Sequence, residues 1–90
     1  MYEWDETKRK VTLSERGIDF ADMERFDWST AVTRPDTRTE YGEPRFTSHG
    51  MIDGRLHACA WTIRKDRIRI IMLRKANARE QRRYEQEKLH

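Results

Sequence analysis

The residues in this sequence best suited to chemistry are cationic. Arg64, Arg74, Arg79 and Arg83, with Tyr84 beside the last, fall at strand ends and on the final helix described below. A guanidinium is a planar donor fork that matches a phosphate and keeps its charge at physiological pH. Such an array fits metal-free RNA cleavage, in which the RNA's own 2′-hydroxyl attacks the adjacent phosphate. The developing pentacoordinate charge must be neutralised and two protons moved. Arg supplies the charge, while Lys, His, Glu or Tyr can move protons. Glu80, among Arg79, Arg82 and Arg83, is the acid to watch, although its spacing alone favours an intrahelical ion pair. The whole set also reads as a solvated charged face with one core tyrosine.

Other chemistries have less support. His49, His57 and Cys59 share one stretch, but no Cys-x-x-Cys or His-Glu-x-x-His spacing occurs, so neither metal nor cofactor is expected. Cys59 lies in an apolar segment and reads as a buried structural thiol. Gly50 and Gly54 fit sheet and turn positions rather than a phosphate loop, and the terminal His90 is expected to fray.

The chain of 90 residues suits one small domain, 1–90. It is polar, with 39% charged and 36% hydrophobic residues and a mean hydropathy of −1.09. Nine aromatics, three of them Trp, argue against disorder. Apolar runs reach only four residues, far short of the roughly 20 a membrane span needs. Met1–Asp5 lacks a basic region followed by an apolar stretch, so no secretory signal is expected. With a single cysteine, a reducing cytoplasm is the expected compartment. Net charge is +3, unevenly spread. Residues 1–30 carry five basic and eight acidic side chains, and residues 64–90 carry ten basic and four acidic. The basic last third favours a polyanionic partner.

The elements that must position these residues follow from capping and turn signals. Met1–Trp4 suits a short strand. Asp5 as N-cap and Gly17 just past the end bracket a helix near 5–16. Asp19 caps a second helix near 20–27, with Phe20, Met23 and Phe26 on one stripe. A short strand near 30–34 precedes a loop containing Pro35, Gly42 and Pro44. Arg45–Ile52 and Arg55–Arg64 flank Asp53-Gly54, a favoured hairpin turn. A second turn at Lys65-Asp66 leads into an Ile-rich strand ending at Arg74, and Ala76–Leu89 reads as a helix. The order predicts an α+β fold with two N-terminal helices, an antiparallel β-meander and a C-terminal helix. The turns set a register in which Gly50 faces His57 and His57 faces Arg74. One sheet face then carries Ser48, Gly50, His57 and Arg74 at one end. Gly50 would leave room beside His57 for an anion, while His49 would point the other way.

These segments resemble the BrnT family of ribonuclease toxins, from BrnT/BrnA type II toxin–antitoxin modules. The resemblance begins at Trp4-Asp5-x-x-Lys8 and continues through Gly17-Ile18-Asp19-Phe20-Ala21-Asp22 and Arg34-Pro35-Asp36-Thr37-Arg38. Tyr41-Gly42-Glu43-Pro44-Arg45-Phe46, Asp53-Gly54-Arg55-Leu56-His57 and Trp61-Thr62-x-Arg64 follow in order. It closes with Arg69-Ile70-Ile71-x-x-Arg74-Lys75-Ala76-Asn77-Ala78-Arg79-Glu80 and Arg83-Tyr84-Glu85.

The resemblance implies a compact RelE-like fold and an RNA-cleaving toxin that inhibits translation. It also implies neutralisation by a BrnA-like ribbon–helix–helix antitoxin, through which the complex binds operator DNA. Lys8, Arg64, Arg74, Arg79, Glu80 and Tyr84 stand at polar positions of the family motifs. By this resemblance Arg64 and Arg74 meet phosphate and transition-state charge, Lys8 and Arg79 position the RNA backbone, and Glu80 or Tyr84 assists proton transfer. Arg83 joins the phosphate-binding set, and His57 enters through strand register alone.

Three positions depart from the family pattern. Arg16 stands where members usually carry His, Glu15 where they usually carry Lys, and Met72 where they usually carry Ser. A fixed cation cannot serve as a base near neutral pH, so these changes also suit a catalytically weakened homologue that retains antitoxin binding and operon autoregulation.

Overall fold

The computed structural model describes residues 1–38 and 40–88, so Leu89 of the expected last helix and His90 lie outside the described residues. The elements run β1 (Tyr2–Trp4), α1 (Glu6–Arg16), a 3₁₀ helix (Phe20–Arg25), β2 (Phe26–Pro35), β3 (Phe46–Ile52), β4 (Arg55–Arg64), β5 (Arg67–Lys75) and α2 (Ala78–Lys88). The strands form one sheet in the order β1-β5-β4-β3-β2. β1 is parallel to β5, and the other neighbours are antiparallel. Among the described residues, no helix is long and apolar enough to cross a membrane.

Local chemistry explains most boundaries. The Asp5 carboxylate accepts from the Thr7 and Lys8 amides at 2.8 and 3.2 Å, opening α1. Gly17 closes it in the left-handed conformation, with its amide 2.9 Å from the Leu13 carbonyl. The expected second helix is instead a six-residue 3₁₀ helix. Phe20 and Met23 are spaced by three, which a three-residue turn stacks on one line, and Phe26 follows at the start of β2. All three are buried. A capping box between Asp19 and Asp22 starts this turn, and Arg9 grips Asp19 at 2.8 and 2.9 Å, fastening α1 to it. β2 is longer than expected, because the strand begins as soon as the 3₁₀ helix ends, and a bulge between Asp27 and Val32 absorbs its irregular part.

The hairpins form at the expected turns. Asp53 and Gly54 adopt φ of 51° and 77°, as a type I′ turn requires, and Lys65 and Asp66 do the same at 50° and 66°. In β5, however, Trp61 pairs with Ile70 while Ala60 pairs with Met72. Ile71 is an extra residue, and this bulge shifts every later residue by one. Arg74 therefore faces Ala58, and His57 faces Lys75, in place of the expected His57–Arg74 pairing.

The sheet's two faces are covered differently. α1's neighbourhood and the 3₁₀ helix enclose the main core, which includes Phe20, Met23, Phe26, Ile52, Ile70 and Leu73. Ser48 is fully buried there, bonded to Thr33 Oγ1 at 2.7 Å and to Trp61 Nε1 at 2.8 Å. Gly50 leaves no cavity beside His57. A Cβ at Gly50 would meet the Phe26 ring at 2.6 Å, so the ring occupies that space. The opposite face carries a smaller cluster, in which Tyr84 of α2 packs against Leu56, Ala76, Val32 and Met51. The Tyr84 hydroxyl donates to the Thr30 carbonyl, pinning α2 across β2.

Candidate functional site

α2 begins with a reciprocal cap. Asn77 Oδ1 accepts from the Glu80 amide at 2.8 Å, and Glu80 Oε1 accepts from the Asn77 amide at 3.0 Å. This fixes the Glu80 carboxylate over the sheet instead of along the helix. There the Ile71 bulge delivers Arg74, which forks onto the carboxylate at 2.7 and 3.0 Å. His49 of β3 completes the cluster, with Nε2 2.9 Å from Glu80 Oε2. The expected intrahelical pairing of Glu80 gives way to partners from two strands.

The electrostatics assign roles. The Arg74 guanidinium, with smaller help from His49 and the Asn77 amide, outweighs burial and holds the Glu80 carboxyl down at about 2. Arg74 is in turn raised, chiefly by the same bond. Glu80 is thus a fixed anion near neutral pH. It accepts protons in hydrogen bonds but does not trade them. An ionised carboxylate only accepts, so the His49 Nε2 that meets it carries the hydrogen, leaving Nδ1 of a neutral ring with the lone pair.

His49, Glu80, Arg83 and Tyr84 line one cavity of about 360 Å³, closed on the far side by Pro35–Arg38. In that wall Asp36 is held by both arms of Arg38 at 3.0 Å each, which lowers its carboxyl to about 2. At the mouth, Arg34 and Arg83 both donate to Glu87.

The structure brings together Arg74, Glu80, Arg83 and Tyr84 of the sequence candidates. The Tyr84 hydroxyl is committed to the Thr30 carbonyl. Arg79 is exposed on the first turn of α2 and does not line the cavity. Arg64 lies at the opposite end of the β4–β5 hairpin, paired with Glu43 at 3.1 and 3.2 Å. Its strand partner Arg67 is seven residues from Arg74, roughly 20 Å along the strand. Lys8 sits on α1 beside β5, lining a separate cavity of about 260 Å³ together with Arg16 and Met72. His57 is buried, with Nδ1 2.8 Å from the Arg55 carbonyl, a satisfied core histidine. Cys59 is buried too, and desolvation pushes its thiol up to about 12.

The residue that sequence reasoning missed is His49. The signal lay in strand alternation: Ser48, Gly50 and Ile52 fill the core face, so His49 must face α2. The sequence also contained Asn77 three residues before Glu80, the spacing of a cap that aims an acid off the helix axis. Among the described residues, no group of three or more His, Cys, Asp or Glu is arranged to hold a metal ion.

A fixed carboxylate that orients an imidazole, a guanidinium beside both, and a cavity edged by further arginines can neutralise a phosphate and move its protons. No curated protein matches the chain. The family model described as the ribonuclease toxin BrnT of type II toxin–antitoxin systems matches residues 4–80, a segment that contains His49, Arg74 and Glu80. The chain belongs to the BrnT family of type II toxin–antitoxin ribonuclease toxins.

Proposed function

We propose that this protein cleaves RNA by metal-independent attack of the 2′-hydroxyl, with His49 as the proton-transfer group. The observation carrying the proposal is the His49–Glu80–Arg74 cluster, in which His49 and Glu80 line the cavity and Arg74, outside the lining, is bonded to Glu80. Imidazole is the side chain suited to exchange protons near neutral pH, and Glu80 fixes its tautomer. His49 Nδ1 takes the 2′-hydroxyl proton as the oxygen bonds to phosphorus. The bond to the 5′-oxygen breaks, and that oxygen leaves with a proton from solvent. The products are a 2′,3′-cyclic phosphate and a 5′-hydroxyl. Arg74 balances the charge of the pentacoordinate phosphate, and Arg83 holds the backbone at the cavity mouth.

A BrnA-like ribbon–helix–helix antitoxin would neutralise the protein by covering this cavity. A stable complex of this kind buries on the order of 1,200–2,000 Å² and would meet the arginines with acidic residues. The weakened-toxin reading rests on Arg16 and Met72. Both line the cavity beside α1, apart from His49 and Glu80, which favours the catalytic reading.

The test is incubation of antitoxin-free protein with end-labelled RNA in excess EDTA. Cleavage leaving cyclic phosphate ends, and its loss in folded His49→Ala and Arg74→Ala, is the expected result. Equal cleavage by His49→Ala would remove His49 from the chemistry. Intact RNA with folded wild type would favour the antitoxin-binding homologue.

A further inference from the structure

Arg34 on β2 and Arg83 on α2 are far apart in sequence but donate to the same oxygen, Glu87 Oε1, Arg83 through Nε at 3.1 Å. All three side chains line the cavity that holds His49 and Glu80. Two guanidiniums aimed at one oxyanion reproduce the way arginines hold a phosphodiester.

The contrast with Glu80 is informative. Glu80 accepts from both arms of Arg74, from His49 and from the Asn77 amide, and its side chain is 20% exposed. Among the described residues Glu87, whose side chain is 30% exposed, meets only the two arginines, at 46% and 65% exposure. Exposed pairs of this kind contribute little and exchange readily.

We propose that Arg34 and Arg83 form a second phosphate subsite, taking the phosphodiester next to the one cleaved, and that Glu87 occupies it until RNA arrives. This rests on the RNA-cleaving reading and adds Arg34 as a residue that positions substrate. It also makes Glu87 a built-in competitor: an RNA phosphate displaces the carboxylate, which turns to solvent at the end of α2.

The experiment measures binding of a fluorescein-labelled 2′-O-methyl oligoribonucleotide, which cannot be cut, by anisotropy across a salt series. Glu87→Gln is expected to bind roughly three- to tenfold tighter at low salt. Glu24→Gln, which removes one exposed charge from the 3₁₀ helix, calibrates the generic gain from added positive charge. Arg34→Ala should bind more weakly and lower the salt slope by about one. In Arg34→Ala the benefit of Glu87→Gln should disappear. A gain in Glu87→Gln no larger than in Glu24→Gln, or unchanged binding by Arg34→Ala, overturns the subsite. Cleavage of unmodified RNA by wild type, read separately from this binding, bears on the chemistry alone. Failure of wild type to bind would overturn both readings.

Discussion

Both faces of the sheet carry a histidine, on neighbouring strands, and the two sit in opposite circumstances. His57 lies on the face sealed by the Phe26 ring and the 3₁₀ helix, with its Nδ1 spent on a backbone carbonyl. His49 lies on the face that α2 covers only in part, against a fixed carboxylate and beside a cavity. The sealed face buys stability from dense packing. The half-covered face leaves charged groups where a ligand can reach them. A single extra residue, Ile71, decides which face receives Arg74.

The sharpest way to break this comparison is to remove each imidazole in turn. His49→Ala is expected to lose about 10²–10⁴-fold in RNA cleavage with its fold intact. His57→Ala should lower thermal stability while leaving cleavage per folded molecule unchanged. The reverse pattern in single-turnover assays and thermal melts would exchange the roles of the faces.

Gly50→Ala probes the sealed face alone. Its Cβ would press on the Phe26 ring at 2.6 Å, and overpacking of this kind costs about 1–3 kcal/mol. A thermal melt should fall by roughly 5–15 °C, with cleavage at low temperature little changed.

Glu80 probes the open face through pH. Its folded carboxyl titrates at about 2, against an ordinary 4.5, so the unfolded chain takes up the proton first. The resulting stability is fully present above about pH 4.5 and lost as pH falls toward 2, and it amounts to about 3 kcal/mol. Denaturant melts of Glu80→Gln should show a flatter acid limb in that window. A residual slope should remain, because Arg38 lowers Asp36 into the same range.

The smallest effect is expected at the far end of the hairpin. Arg64→Ala breaks an exposed pair with Glu43 and should cost under about 1 kcal/mol. Cleavage of a short RNA should stay within a few-fold of wild type. A loss as large as that of Arg74→Ala would move the site to the Arg64 end.

Much of the fold was legible in local signals. Asp5 and Gly17 bracket α1, Asp53-Gly54 and Lys65-Asp66 place the hairpins, and a Glu- and Arg-rich tail without Gly or Pro becomes α2. These are contacts between residues close in the chain. The 3₁₀ helix was harder to read, because three-residue spacing fits either helix until the start of β2 limits the length. The Ile71 bulge left no mark, since Ile70–Leu73 reads as one apolar strand in either register. That single residue of uncertainty turned His57 into a candidate and hid His49. In the site, Glu80, Arg74, Arg83 and Tyr84 were visible as residue types near one another in sequence. Strand alternation put His49 on the α2 face, but its pairing with Glu80, 31 residues later, emerged only from the sheet.

The cap at the start of α2 has a consequence for how the protein fails. The carboxylate that closes the helix's first turn also steadies the imidazole, so fraying of that turn and loss of the cluster are one event. The Glu80 amide, bonded to Asn77, becomes a reporter. Its hydrogen-exchange rate would measure how often the cluster dissolves while the rest of the sheet stands, and a partner that grips α2 would slow that exchange.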